Sequence, residues 1–309
     1  MAKDVEDIVA GVLGGDRRAA SKLMRLVDDH EEAAVDLLGR LYPHTGRALV
    51  VGVAGSPGCG KSTIIDGLLA ELRGQGRKVG VVAIDPSSAL TGGAILGDRI
   101  RMQRHSLDEG VFIRSLATRG AQGGLSRSTL DVCRVMDAMG MDVVVVETVG
   151  IGQDEVDIRM AANVTVVVLS PDTGDAIQIM KAGVMEIADV FVVNKMDKDG
   201  GDAVVQELRL MLASTPERAG TPVVEMEART GRGARELAGT LGAFVEPPGR
   251  VREKRRLEIR RRAGEAFTAW FEERSRESIE RTIDRIQDGA ETPYDIVRRI
   301  KGSMEGWNL

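Results

Sequence analysis

Gly55, Gly60, Lys61 and Ser62 fall in the spacing G-x-x-x-x-G-K-[ST]. Glycines at these intervals let a backbone loop turn its N–H groups inward, which makes a cradle for anionic oxygens. A helix starting just after the loop adds partial positive charge at the same point. Lys61 is spaced to reach the β- and γ-phosphates of a nucleotide, and the Ser62 hydroxyl to bind Mg²⁺. Nucleotide contacts are therefore expected from Gly55, Ser56, Pro57, Gly58, Cys59, Gly60, Lys61, Ser62 and Thr63.

Two further constellations can complete such a site. Asp85 and Glu147 each end an apolar run, and a carboxylate there, beside a triphosphate, can hold Mg²⁺ or its waters. Gly150 follows Glu147 by three residues and can offer a bare N–H to a γ-phosphate, a hydrogen bond that ends when the phosphate is hydrolysed. The stretch Asn194-Lys195-Met196-Asp197 carries base-recognition chemistry. Asp197 can accept two hydrogen bonds, from guanine N1–H and its 2-amino group, and adenine has neither donor. Asn194 is expected to brace the surrounding loops, the Lys195 stem to cover the base, and the Ala228 N–H to meet guanine O6. The nucleotide implied is GTP, with GDP as product. Ile151 follows Gly150 where a water-orienting Gln is common, and Gln153 lies two residues further on, so unaided hydrolysis is expected to be slow.

Positioning these groups requires a particular frame. Apolar runs at 49–54, 79–84, 111–114, 142–147, 164–169, 189–193 and 222–226 read as strands. Several, such as D-V-V-V-V-E and V-T-V-V-V-L, are apolar on both faces, as in a parallel sheet covered by helices. Alternation with amphipathic stretches gives an α/β fold, a P-loop NTPase whose mostly parallel sheet binds ligands at the carboxyl ends of its strands. Residues 1–46 read as a helical N-terminal extension, with Val5, Ile8, Val9 and Val12, then Leu23, Leu26 and Val27, then Val35, Leu37 and Leu38 at helical spacing. Residues 47–246 form the nucleotide-binding domain. Residues 247–309 read as a helical arm with an apolar stripe at Phe267, Trp270, Phe271, Ile279, Ile283 and Ile286, suited to packing on a second copy, with a short last helix opening at Thr292-Pro293.

Composition excludes several classes. The net charge of −5 argues against nucleic-acid binding, and the basic run Arg250–Arg262 reads as the solvated face of a helix. No apolar run approaches the ~20 residues that cross a bilayer, so no membrane partner is expected. Two separated cysteines, Cys59 and Cys133, and an N-terminus without an apolar core point to a cytoplasmic protein.

Taken together, the motifs resemble the methylmalonyl-CoA mutase-associated GTPases, metallochaperones of adenosylcobalamin-dependent mutases. The resemblance rests on G-S-P-G-C-G-K-S-T (55–63), D-P-S-S (85–88), T-G-G-A-I-L-G-D-R-I-R-M (91–102), E-T-V-G-I-G-Q (147–153), G-D-A-I-Q-I-M-K-A-G-V-M-E-I-A-D (174–189) and N-K-M-D (194–197). It implies that Asp85, Asp98 and Glu147 surround Mg²⁺, and that Gln178 and Lys181 lie in a third switch that contacts the mutase and completes the catalytic set. It also implies a homodimer that gates delivery of cobalamin to an acyl-CoA mutase and protects that enzyme. A nickel-delivery GTPase would need soft or imidazole ligands, and His30, His44, His105 and the two cysteines form no cluster in sequence. A kinase or transport-associated ATPase would need an acceptor pocket, which no motif supplies. Direct cobalamin binding is not expected, because Asp28-Asp29-His30-Glu31-Glu32-Ala33 lacks the glycine of the D-x-H-x-x-G pattern.

Overall fold

The computed structural model describes residues 2–29, 32–85, 105, 107–117, 128–148, 154–173 and 184–288, with isolated positions beyond. It is built on one seven-stranded sheet in the order β3-β2-β4-β1-β5-β6-β7, every neighbouring pair parallel. The strands are β1 (Leu49–Gly55), β2 (Val79–Asp85), β3 (Val111–Ala117), β4 (Val143–Glu147), β5 (Val164–Leu169), β6 (Val190–Val193) and β7 (Val223–Glu225). β4 and β5 are buried at every position, as the unbroken valine runs require. β-branched side chains lose little rotamer freedom on a pleated sheet, and each buried Val or Leu contributes roughly 1.5–3 kcal/mol.

Alternate residues of each strand feed opposite layers. Val143 and Val145 join a core with α4 (Lys61–Gly74) through Ile64, Ile65, Leu68 and Leu69. Val144 and Val146 face the other way, into a core built with the N-terminal helices. Those helices are Ala2–Leu13, Arg17–Asp28 and Glu32–Leu41, taken in chain order as α1, α2 and α3. In α2 the buried residues Ala20, Leu23, Met24 and Val27 recur at helical spacing, and the Asp16 side chain caps its first turn by accepting from Arg18 N–H at 2.7 Å. Of the third apolar group expected in this region, Leu37 is buried but Val35 is 64% exposed; the core instead takes Leu41, one turn beyond Leu37.

The extension is tied to the sheet by a carboxylate. Asp137, near the end of α5 (Thr129–Ala138), accepts the N–H groups of Gly46, Arg47 (3.3 Å) and Ala48 (2.9 Å). The hinge after Tyr42–His44 therefore enters β1 at a fixed angle. Three further helices complete the layers: α6 (Asp154–Ala161), α7 (Val184–Ile187) and α8 (Gly201–Ser214), the last covering β5 and β6 through Val205, Leu208 and Leu212. α9 (Ala234–Gly242) packs in the α4 layer through Ala234, Leu237 and Leu241.

The strands match expectation to within a residue or so at most ends. β3 runs to Ala117 rather than stopping at 114. It is an edge strand, so Arg114 and Ser115 remain half-buried without breaking the pairing with β2. Packing separates Met1–Glu246 from Pro247–Leu309. The second unit contains α10, a continuous helix over Pro248–Gln287 with proline at its start. Phe267 stacks on Phe271 within α10, while Trp270 and Ile283 are 38% and 42% exposed.

Candidate functional site

β1 is the pivot of the sheet. From it the chain passes to β2 on one side and later to β5 on the other, so the loops at its carboxyl end diverge and leave a crevice. The loop that crosses this crevice joins β1 to α4. Gly55, Gly58 and Gly60 all have positive φ, at 146°, 80° and 99°. At Gly55 a Cβ would stand 2.4 Å from Val168 O; at Gly60 it would stand 2.4 Å from Asn194 Nδ2. Both positions are closed to any side chain.

Lys61 opens α4 and is 7% exposed, with its Nζ donating to Gly55 O at 2.7 Å and Ser56 O at 3.2 Å. The ammonium thus lies inside the arch of the loop, where anionic oxygens can replace the two carbonyls as its partners. Ser62, also buried, donates from Oγ to Glu147 Oε1 at 2.7 Å. Glu147 ends β4 in register with Val53 of β1. Thr148 holds that strand end in place by donating both its N–H and its hydroxyl to Val53 O, at 3.2 and 3.3 Å. A hydroxyl in the first turn of α4 and a carboxylate at the end of β4, this close, form a hard oxygen donor pair, the chemistry that Mg²⁺ prefers. Asp85 terminates β2, two strands from β1, and its backbone pairs with Ala117.

The second half of the site comes from the ends of β6 and β7. Asn194, 2% exposed, donates from Nδ2 to Cys59 O at 2.9 Å and accepts at Oδ1 from Ala228 N–H at 3.1 Å. One amide therefore joins the phosphate-loop backbone to the loop after β7. The Ala228 N–H, expected to face a base oxygen, donates here to this amide. Met196 N–H to Met226 O (3.1 Å) and Met226 N–H to Val193 O (2.8 Å) add backbone support. Lys195 has φ 61°, the one non-glycine residue in the left-handed region among the described residues. Holding a lysine there costs of order 1–3 kcal/mol, which the surrounding contacts must offset. Asp197 lies on the exposed side of the loop. Pro57, Gly58 and Thr63 are exposed along the same rim, and Ser56 and Cys59 are buried beneath it. Burial raises the Cys59 thiol pKa above its ordinary value, with the neighbouring Lys61 pulling the other way. Burial likewise pushes the Cys133 thiol up to about 12, so both cysteines stay protonated at neutral pH.

Asp98, Gly150, Gln178 and Lys181 lie outside the described residues, as do Ile151 and Gln153. One group was given no role from the sequence. Asp172, in the turn Pro171–Thr173 after β5, accepts from Lys195 Nζ at 3.1 Å and from Lys198 Nζ. The signal available was a carboxylate at a strand's carboxyl end and two lysines three residues apart in the neighbouring loop.

A phosphate loop between β1 and α4, a parallel sheet and an N-K-x-D loop at the end of β6 define a P-loop GTPase. A family model described as methylmalonyl-CoA mutase-associated GTPase MeaB matches residues 17–283, and the chain belongs to that family. A protein of Pyrococcus abyssi described as a GTPase is 50% identical over 263 residues, spanning 82% of this chain and 81% of its own length. The GTPase ArgK of Escherichia coli is 39% identical over 189 residues, 60% of this chain and 57% of that protein. Among solved structures, one titled LAO/AO transport system kinase superposes over 99% of both chains with a TM-score of 0.67 at 24% identity, a likeness of fold alone. The chain is accordingly a GTPase, and GTP and GDP are its nucleotides.

Proposed function

We propose that this GTPase works as a switch on an adenosylcobalamin-dependent acyl-CoA mutase of the methylmalonyl-CoA mutase type, gating cofactor loading and protecting the loaded enzyme. The observation that carries the reading is the Asn194 amide, which ties the phosphate loop at Cys59 to the base loop at Ala228. A site braced in this way reads the base and the phosphates as one unit, as a timed conformational cycle requires, and the family is associated with that mutase by description.

In this reading the loop Gly55–Thr63 wraps the phosphates, and Lys61 exchanges its two carbonyl partners for β- and γ-oxygens. Ser62 and Glu147, with Asp85 and Asp98, would hold Mg²⁺, which would supply positive charge to the phosphate oxygens. Gly150 senses the γ-phosphate. Asp197 selects guanine, Lys195 covers the ring, and the backbone near Ala228 meets the base oxygen. Gln178 and Lys181 complete the catalytic set when the mutase docks. Completing such a set is worth about 10³–10⁵ in rate.

Phosphate release should therefore be slow for the protein alone and rise steeply on adding an adenosylcobalamin mutase, with most of the rise lost in Lys181→Ala. Fast release without a partner, or transfer of phosphate to an added small amine instead of water, would overturn the reading.

The arm beyond Glu246 is assigned to homodimerisation. Among the described residues, the three clusters of the apolar core draw their buried residues from before position 242. α10 meanwhile leaves Ile259, Trp270 and Ile283 exposed. Truncation after Pro248 is expected to give a monomer that still binds GDP, while the full chain sediments as a dimer. A monomeric full chain at micromolar concentration would end this part of the proposal.

A further inference from the structure

Asp172 links two parts of the site that the sequence pattern treats separately. Its Oδ2 receives Lys195 Nζ at 3.1 Å and also Lys198 Nζ, and the same Lys195 Nζ donates to Gly58 O at 2.7 Å. The Lys195 ammonium is thus held between the tip of the phosphate loop and a carboxylate rooted at the end of β5, with its stem running back from there to the backbone at 195. The side chains of Lys195 and Asp172 are each 25% exposed, so the pair sits at the rim of the crevice rather than deep within it. The lysines hold the Asp172 carboxyl below the usual carboxylate range, the Lys198 hydrogen bond being the largest cause. It stays charged throughout the working pH range.

We propose that Asp172 is a positioning residue for guanine-nucleotide binding, fixing the Lys195 stem in place so that its methylenes form a ready-made wall for the purine ring. The inference rests on the reading of Asn194–Asp197 as the base loop. A lysine stem has four rotatable bonds, and ordering it only when nucleotide arrives subtracts from affinity. With a neutral carbonyl and a carboxylate both holding the ammonium, that ordering is complete before binding. Gly58 O is one neutral acceptor for an ammonium with three N–H groups, and the Asp172 carboxylate adds a charged one. The Asp172 carboxylate bonds to the two lysines and not to the Ser62–Glu147 pair, so its influence should fall on the base half of the ligand.

A double-mutant cycle on the full-length protein, read by GDP titration and steady-state GTP hydrolysis, tests this. Asp172→Asn is expected to weaken GDP by about 3–10-fold, the scale of one immobilised side chain, and to raise the KM for GTP by the same factor with kcat unchanged. Asp172→Glu should recover most of the loss. In a Lys195→Met background, Asp172→Asn should have no further effect. Lys198→Ala, which removes the carboxylate's other partner, should leave GDP affinity near wild type. Equal losses from Asp172→Asn in both backgrounds, no loss in either, or an equal loss in Lys198→Ala would overturn the inference alone. Unchanged GDP affinity in Lys195→Met would overturn this inference alone, whereas an unchanged preference for GTP in Asp197→Asn would overturn the base-loop reading, and this inference with it.

Discussion

Lys61→Ala is expected to lower GTP turnover on the order of 10²–10⁴-fold while leaving the fold intact. The side chain is 7% exposed and its ammonium sits within hydrogen-bond distance of two carbonyls that line the loop, Gly55 O and Ser56 O. Those carbonyls carry only partial charge, so phosphate oxygens compete for the ammonium on better terms. Without Lys61, three phosphates would enter a nearly closed backbone arch with the helix terminus as the remaining fixed positive element. Leaving a buried charge without its partner costs about 3–5 kcal/mol, which sets the expected factor. Lys61→Arg should fail almost as badly, since a planar guanidinium does not fit a space that closes around a single ammonium. Phosphate release at saturating GTP, alongside a melting curve, decides the matter. Turnover within tenfold of wild type in Lys61→Ala would mean that the reaction does not occur at this loop.

The second large effect is expected at Asp197, where Asn should lower GTP affinity on the order of 10²–10³-fold and raise affinity for XTP. The carboxylate lies on the exposed side of the loop, so its energetic contribution is made only when a base covers it. Two hydrogen bonds from guanine N1–H and the 2-amino group to one charged acceptor are worth roughly 1.5–3 kcal/mol each. Asparagine can still accept from N1–H but presents an N–H to the second donor. Xanthine carries a carbonyl there, and the mismatch becomes a match. Titrating both nucleotides against both variants isolates that contribution; an Asn variant that still prefers GTP by the wild-type margin would move base selection elsewhere.

The frame was legible because its signals are local. Seven apolar runs became seven strands, and parallel order follows from runs apolar on both faces separated by helices. Edges and exposed helices were less legible. β3 carries Arg114 and Ser115 at positions that a central strand would not tolerate, and Val35 keeps helical spacing without reaching the core. For the site, the loop Gly55–Ser62 and the Asn194–Asp197 stretch are contiguous, so their residue types announce the chemistry. The contacts that join them are not contiguous. Asn194 meets Ala228 across 34 positions and Cys59 across 135, and no local pattern encodes which N–H an amide will take. The partners of Asp172 were illegible for the same reason: its two lysines are 23 and 26 residues away, and only the adjacency of β5 and β6 brings them together.

The closeness of Gly60 and Asn194 also constrains how this site can change in evolution. A methyl group at position 60 would lie 2.4 Å from Asn194 Nδ2, and the backbone there already has φ 99°. The obvious compensating change is a smaller residue at 194, which relieves the collision. That same change removes the acceptor for the Ala228 N–H and the donor to Cys59 O, so the second-site suppressor abolishes the brace it was meant to rescue. The two positions are thus locked to one another, because the change that would relieve the collision does not restore the brace. Drift at either one is blocked by the other, whatever the pressure on nucleotide affinity itself.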